Sequence, residues 1–101
     1  MNYNLSIAPE VEEDIVAVYC WYEDASIGLG EEFLGMFYTG TRSIQKNPFQ
    51  CNVIFNDFRR FLLSRFPYAL YYLIAGESII VYGVFHCARN PVFIQDSLDG
   101  R

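Results

Sequence analysis

The sequence predicts an α+β fold in which an N-terminal hairpin of two helices packs on an antiparallel sheet. The predicted order is β-α-α-β-β-β, with one further short strand after the second helix. Two observations lead to this fold class. Apolar residues recur at helical spacing up to Asn47-Pro48, and strand-forming apolar and aromatic residues dominate after Pro48.

The first two elements are a short strand and a long helix. Tyr3 to Ile7 reads as the strand, and Pro9 stands at the first turn of a helix predicted to run to Ala25. Acidic residues crowd the start of this helix, where the helix dipole favours them. One stripe at steps of four, three and four residues predicts its buried side: Val11, Ile15, Val18 and Tyr22.

The second helix is predicted to start at Glu31-Glu32, after the break at Ile27 to Gly30, and to end at Asn47-Pro48. Its buried stripe comprises Phe33, Phe37, Gly40 and Ile44. Glycine weakens a helix by about 1 kcal/mol relative to alanine. Gly35 and Gly40 therefore predict close approach of this helix to a neighbouring element.

Strands follow Pro48, and Gly76-Glu77 is predicted as the tight turn between the last two. Pro67 has no N–H for a ladder and marks a turn, bulge or edge. With the helix pair on one face, the other face of the sheet is left for water or a partner. The predicted strands are Val53 to Phe55, Arg59 to Phe66, Tyr68 to Ala75 and Ser78 to His86.

The length of 101 residues predicts a single domain, over residues 1–93, followed by a loose polar tail at 94–101. Neither a membrane-spanning run nor a signal pattern is apparent, so a cytoplasmic location is expected. Cys20, Cys51 and Cys87 lack the spacing of a zinc site or a disulfide framework. We expect reduced and mostly buried thiols, with no metal and no cofactor.

The net charge of -5 conceals a division along the chain. Residues 1–41 contain eight acids and no Lys or Arg, whereas residues 42–101 contain seven bases and four acids. The acidic pI of about 4.6 argues against a general nucleic-acid binder. These charge counts still allow a basic face formed by residues 42–101. The acidic residues of the first helix are expected to form a solvated face.

Three stretches, in order along nearly the whole chain, resemble the RelE/ParE superfamily of toxins from type II toxin-antitoxin and plasmid-stabilisation modules. They are "WYEDASIGLGEEFL" at 21–34, "FRRFLLSRFPYALYYLI" at 58–74 and "IIVYGVFHCARNP" at 79–91. The resemblance implies the small α/β fold predicted above, a toxin that arrests growth, and a cognate antitoxin that binds and neutralises it, giving a hetero-oligomer. ParE-like members poison DNA gyrase, whereas RelE-like members cleave messenger RNA on the ribosome.

Metal-free RNA cleavage needs a base for the 2'-hydroxyl, an acid for the leaving oxygen, and cations for the phosphate. The candidates for this chemistry are Arg59, Arg65, His86 and Arg89. His86 is the only histidine, and termination of a strand is the preferred explanation for it. Arg60 and the tyrosines at 68, 71 and 72 are candidates for partner binding. The tyrosines also suit cross-strand packing or stacking on RNA bases.

Because this set of acid-base residues is small, the sequence favours a ParE-like toxin that acts by binding a target such as DNA gyrase. A RelE-like, ribosome-dependent messenger RNA endoribonuclease is the second hypothesis, and it is the one that makes the chain an enzyme. A non-toxic, partner-binding member of the superfamily is the third.

Overall fold

The computed structural model describes residues 3–101, so the first two residues of the predicted 1–93 domain lie outside the described part. A 3-10 turn at Pro48–Gln50 separates the helices from the strands. The elements are β1 (Asn4–Ile7), α1 (Pro9–Ala25), α2 (Leu29–Lys46), β2 (Val53–Phe55), β3 (Phe58–Leu62), β4 (Tyr68–Ala75), β5 (Ser78–His86) and α3 (Pro91–Asp99).

The sheet has five strands in the order β1-β5-β4-β3-β2. Strands β2 to β5 form an antiparallel meander, and β1 lies parallel to β5. After β1 the chain passes through the helix hairpin and then through the meander. The last strand of the meander, β5, lies beside β1 and runs in the same direction. The α+β prediction is confirmed, with a mixed sheet where an antiparallel one was expected.

The main core lies between the α1–α2 hairpin and one face of the sheet. Both predicted helical stripes face it, and each large apolar side chain buried there stabilises the fold by about 1.5–3 kcal/mol. A sharp turn joins the helices: Gly28 has φ of 90°, and the Glu23 carboxylate accepts the N–H groups of Gly28 and Gly30. Fully buried side chains of this core include Val11, Phe33, Phe37, Ile44, Leu70, Tyr72, Ile79 and Val81.

Residues 94–101 are not a loose tail, and that prediction is wrong for most of the segment. Asn90 caps α3 by accepting the N–H of Val92, and Pro91 occupies the first turn. Ile94 and Leu98, one helical turn apart, are buried against the second face of the sheet. This face is therefore partly covered by the chain itself.

A β-bulge at Tyr82 changes which residues of β5 share a face. Tyr71 pairs with Gly83 whereas Tyr72 pairs with Val81, so Tyr82 is the extra residue. Tyr82 packs on the α3 side and Val84 packs in the main core. Simple alternation, which places both on one face, fails here.

The glycine and cysteine predictions hold only in part. A Cβ built on Gly40 lies 3.0 Å from a methyl of Leu63, so α2 approaches the sheet closely there, whereas Gly35 has open space around it. Cys20 and Cys87 are exposed thiols and Cys51 is half-buried. The expectation of mostly buried thiols is wrong, since Cys20 lies on the outer side of α1 and Cys87 follows β5.

No helix within residues 3–101 combines the length and the apolar character needed to cross a membrane.

Candidate functional site

The two adjacent arginines of β3 lie on opposite faces of the sheet. Arg59 pairs with Tyr72, and its guanidinium donates to the Cys51 carbonyl and sits 5.1 Å from the centre of the Phe49 ring. Arg60 pairs with Tyr71, which belongs to the α3 side. Successive side chains of a strand point to opposite faces of the sheet. These two neighbouring cations therefore cannot hold one phosphate group together.

Arg65 is not a strand residue, because β3 ends at Leu62. It lies in the connection to β4 with φ of 71°, in the left-handed region that a residue with a Cβ seldom adopts. Its guanidinium is 3.1 Å from the Glu32 carboxylate, and both side chains are largely exposed. The predicted strand from Arg59 to Phe66 is therefore too long, and it ends at Leu62, before Arg65.

His86 ends β5 and lines a groove of about 240 Å³ beside α1. The ring meets Tyr68, its partner across the strands, edge to face at 5.1 Å between ring centres. Its Nδ1 accepts the backbone N–H of Ala88 at 3.0 Å. The histidine thus fixes the turn by which the chain leaves the sheet, as the structural interpretation of this residue predicts.

The hydrogen bond to Nδ1 limits the acid-base chemistry of His86. A neutral ring that accepts at Nδ1 carries its proton on Nε2, so neither nitrogen is free to act as a base. A proton on Nδ1 would remove the acceptor of the Ala88 N–H. In this conformation His86 can donate one hydrogen bond through Nε2, but it is poorly suited to shuttling a proton.

Arg89 follows β5 and borders two neighbouring surface cavities. Its guanidinium lies 4.6 Å from the centre of the Phe93 ring on α3. On one side it borders the His86 groove, and on the other a pocket of about 130 Å³ between the sheet and α3. We call the latter the Arg60–Arg89 pocket.

The Arg60–Arg89 pocket combines two cations with apolar side chains of the sheet and of α3. Tyr71 reaches it from β4 with only 6% of its surface exposed, and its hydroxyl has no hydrogen-bond partner among residues 3–101. Cys87 opens into this pocket while His86 opens into the groove, so the two side chains do not form a Cys-His pair. The pocket is lined by Ile54, Phe55, Arg60, Tyr71, Cys87, Arg89, Pro91, Ile94, Gln95 and Leu98.

The three tyrosines predicted to bind a partner have different environments. Tyr72 is fully buried, and its hydroxyl donates to the Pro48 carbonyl at 2.8 Å. Burial raises the pKa of Tyr72 well above its ordinary value of 10.0. Tyr72 is a core residue, and the prediction that it contacts a partner is wrong. Burial also raises the pKa of the half-exposed Tyr68, although the nearby Arg89 lowers it slightly.

Arg101 is a residue of the groove that the sequence interpretation missed. Its guanidinium donates to the Tyr82 carbonyl at 2.9 Å and to the Asp14 carboxylate at 3.1 Å, and it lies 5.3 Å from the centre of the Phe85 ring. The side chain is mostly buried. Arg101 reaches the groove only because α3 is a helix. The loose tail predicted from the sequence gave no reason to place Arg101 there.

A solved structure has a fold similar to this one. The chain superposes with a TM-score of 0.73 on a chain of the chromosomal ParDE TA system from P. aeruginosa, at 15% sequence identity, over 83% of this chain and 95% of the other. The chain has the RelE/ParE-type fold. The predicted resemblance is confirmed at the level of the fold. No family model and no curated protein matches the sequence.

On this RelE/ParE-type fold, the four basic residues predicted for catalysis do not form one cluster. Only His86 and Arg89 line a common cavity, whereas Arg59 binds beside Cys51 and Arg65 pairs with Glu32. Arg60, predicted for partner binding, joins Arg89 and Tyr71 instead. Within the described residues, no group of three or more His, Cys, Asp or Glu is placed to hold a metal ion.

Proposed function

We propose that the chain is a toxin of a type II toxin-antitoxin module, neutralised by a cognate antitoxin and nearer the ParE type. It arrests growth by binding a target such as DNA gyrase, without a catalytic step. The RelE/ParE-type fold supports the toxin class. The preference for binding over catalysis rests on the dispersal of the predicted acid-base residues.

The environment of His86 is the observation that carries this preference. Cleavage at a 2'-hydroxyl needs a proton acceptor within hydrogen-bonding reach of the oxygen. His86 is the only histidine of the chain, and its Nδ1 is engaged by the Ala88 N–H. The remaining predicted residues are arginines, which stay protonated at neutral pH and supply charge without proton transfer.

The Arg60–Arg89 pocket supports a second candidate, the RelE-like endoribonuclease. Two arginines and a tyrosine beside apolar side chains suit a phosphate that carries a base. In this alternative Arg60 and Arg89 hold the phosphate charge, and Arg59 and Arg65 take no part.

One set of experiments separates these functions. Induced expression without antitoxin is expected to arrest growth, and the purified chain is expected to inhibit gyrase supercoiling while His86→Ala stays active. Unchanged supercoiling together with messenger RNA cleavage that Arg60→Ala or Arg89→Ala abolishes points to the ribonuclease instead. Arg59→Ala is the matched control, since Arg59 lies on the opposite face. Normal growth on induction supports the third hypothesis, a non-toxic partner-binding protein.

A further inference from the structure

The outer side of α1 carries an exposed apolar stripe, which consists of Val16, Ala17, Cys20 and Trp21. Val16 is 61% exposed and Trp21 is 67% exposed, and the other two are exposed as well. Val16 and Cys20 are four positions apart, as are Ala17 and Trp21. Side chains four positions apart are neighbours on a helix surface, and Ala17 and Cys20, three positions apart, join the two pairs, so the stripe is continuous. It lies on the side of α1 away from the buried stripe that begins at Val11 and Ile15.

Acidic side chains border the α1 stripe. Glu12 and Glu13 lie one turn before it, Asp24 lies one turn after it, and all three are exposed. Residues 1–41 contain no Lys or Arg that could neutralise them. The one described ion pair on α1, between Asp14 and Arg101, lies at the edge of the helix towards the groove. The surface is thus an apolar centre with a negative rim.

We propose that the α1 stripe is a docking surface for a basic amphipathic helix of a partner protein. Apolar side chains of that helix cover Val16 and Trp21, and its Lys or Arg residues face Glu12, Glu13 and Asp24. An apolar centre within a polar rim is the usual anatomy of a specific interface, and tryptophan is one of the residue types enriched in binding hot spots. Opposite charge on the two rims sets orientation and speeds association.

A second copy of this chain is a poorer occupant than a basic helix. Twofold packing of α1 on α1 places the acidic rims of both copies against each other, and like charges at an interface cost several kcal/mol. The docking surface does not depend on whether the chain is toxic. It is separate from the Arg60–Arg89 pocket, which lies on the α3 side of the sheet.

Trp21 is the only tryptophan of the chain, so its fluorescence reports directly on the stripe. The probes are two designed amphipathic peptides of about 15 residues, roughly four helical turns, with identical leucine stripes and flanked by Lys or by Glu. We expect the Lys peptide to shift Trp21 emission to shorter wavelength, with an affinity that falls as salt screens the charges. The Glu peptide is expected to bind far more weakly.

Variants at exposed positions test the two parts of the surface without disturbing the core. Val16→Ser is expected to weaken the Lys peptide about tenfold, since about one valine's worth of burial is lost. Val92→Ser is the matched control, because Val92 is 63% exposed but lies on α3. This variant is expected to bind the Lys peptide with unchanged affinity. Glu13→Gln is expected to reduce the salt dependence of the affinity for the Lys peptide.

Three results overturn the proposal: no emission shift, equal binding of both peptides, or insensitivity to Val16→Ser. Self-association of the chain that covers Trp21 at rising concentration also contradicts it, and sedimentation detects that case. Growth arrest and gyrase inhibition are measured without the peptides. Failure here therefore leaves the proposed toxin function standing, and failure of that function leaves the docking surface standing.

Discussion

Tyr72 supplies a buried hydroxyl that ties β4 to the 3-10 turn after α2. Replacement by phenylalanine keeps the ring but leaves the Pro48 carbonyl without its donor in a fully buried place. We expect Tyr72→Phe to lower the free energy of unfolding by about 1–3 kcal/mol, the usual cost of an unsatisfied buried group. Urea unfolding of wild type and variant measures the difference.

Tyr71→Phe is the control at the neighbouring position, since the Tyr71 ring is also buried, while its hydroxyl is not a buried group left without a partner. A change below about 0.5 kcal/mol is expected there. If both variants lose the same stability, the Pro48 hydrogen bond is not the source. The sequence does not show which of the two tyrosines bonds to the 3-10 turn. Alternation along the strand places them on opposite faces of the sheet, but it does not identify the face that meets the turn.

The helix α3 is held to the sheet by two side chains, Ile94 and Leu98, on nine residues. Such a short helix has little stability of its own. We expect Leu98→Ala to cost about 2–4 kcal/mol locally, as for other buried leucines, and to expose the α3 amides to hydrogen exchange. Val92→Ala, at an exposed position of the same helix, is expected to leave their protection unchanged. Equal protection in both variants contradicts this packing.

Element boundaries were predictable where a local signal marks each end. Pro9 and the glycines after Ala25 bound α1, and Gly76-Glu77 bounds β4 and β5, so these elements match the prediction closely. The same type of signal announced α3: Asn90 as cap, Pro91 in the first turn, and apolar residues four apart. Because a strand ends just before these residues, they also fit a chain that leaves the fold, which is the basis of the predicted loose tail.

The bulge at Tyr82 and the position of Arg65 depended on tertiary structure. The extra residue of β5 is visible only once β4 supplies the pairing register. Arg65 takes a left-handed backbone because the connection from β3 must turn within a few residues before Pro67. The sequence therefore indicated which residue types matter but not which of them meet, since Arg60 and Arg89 line one pocket whereas Arg65 pairs with Glu32.

At the scale of the whole molecule, buried tyrosines couple folding to alkaline pH. Burial raises the pKa of Tyr22, Tyr68 and Tyr72 in the folded chain, while an unfolded tyrosine titrates near its ordinary value of about 10. Above that pH the unfolded chain releases protons that the folded chain retains. The unfolded state is then favoured, so stability falls as pH rises and is fully present below about pH 10.

We therefore expect the urea midpoint to be nearly constant between about pH 8 and 9 and to fall steadily above about pH 10. Tyr72→Phe removes the residue whose pKa is raised most, so its stability is lower at neutral pH but declines less steeply in alkali. Tyr38→Phe, at an exposed position of α2, should keep the wild-type slope. Identical slopes for wild type and Tyr72→Phe above pH 10 contradict this assignment, because the buried hydroxyl is then not the group that links protons to folding.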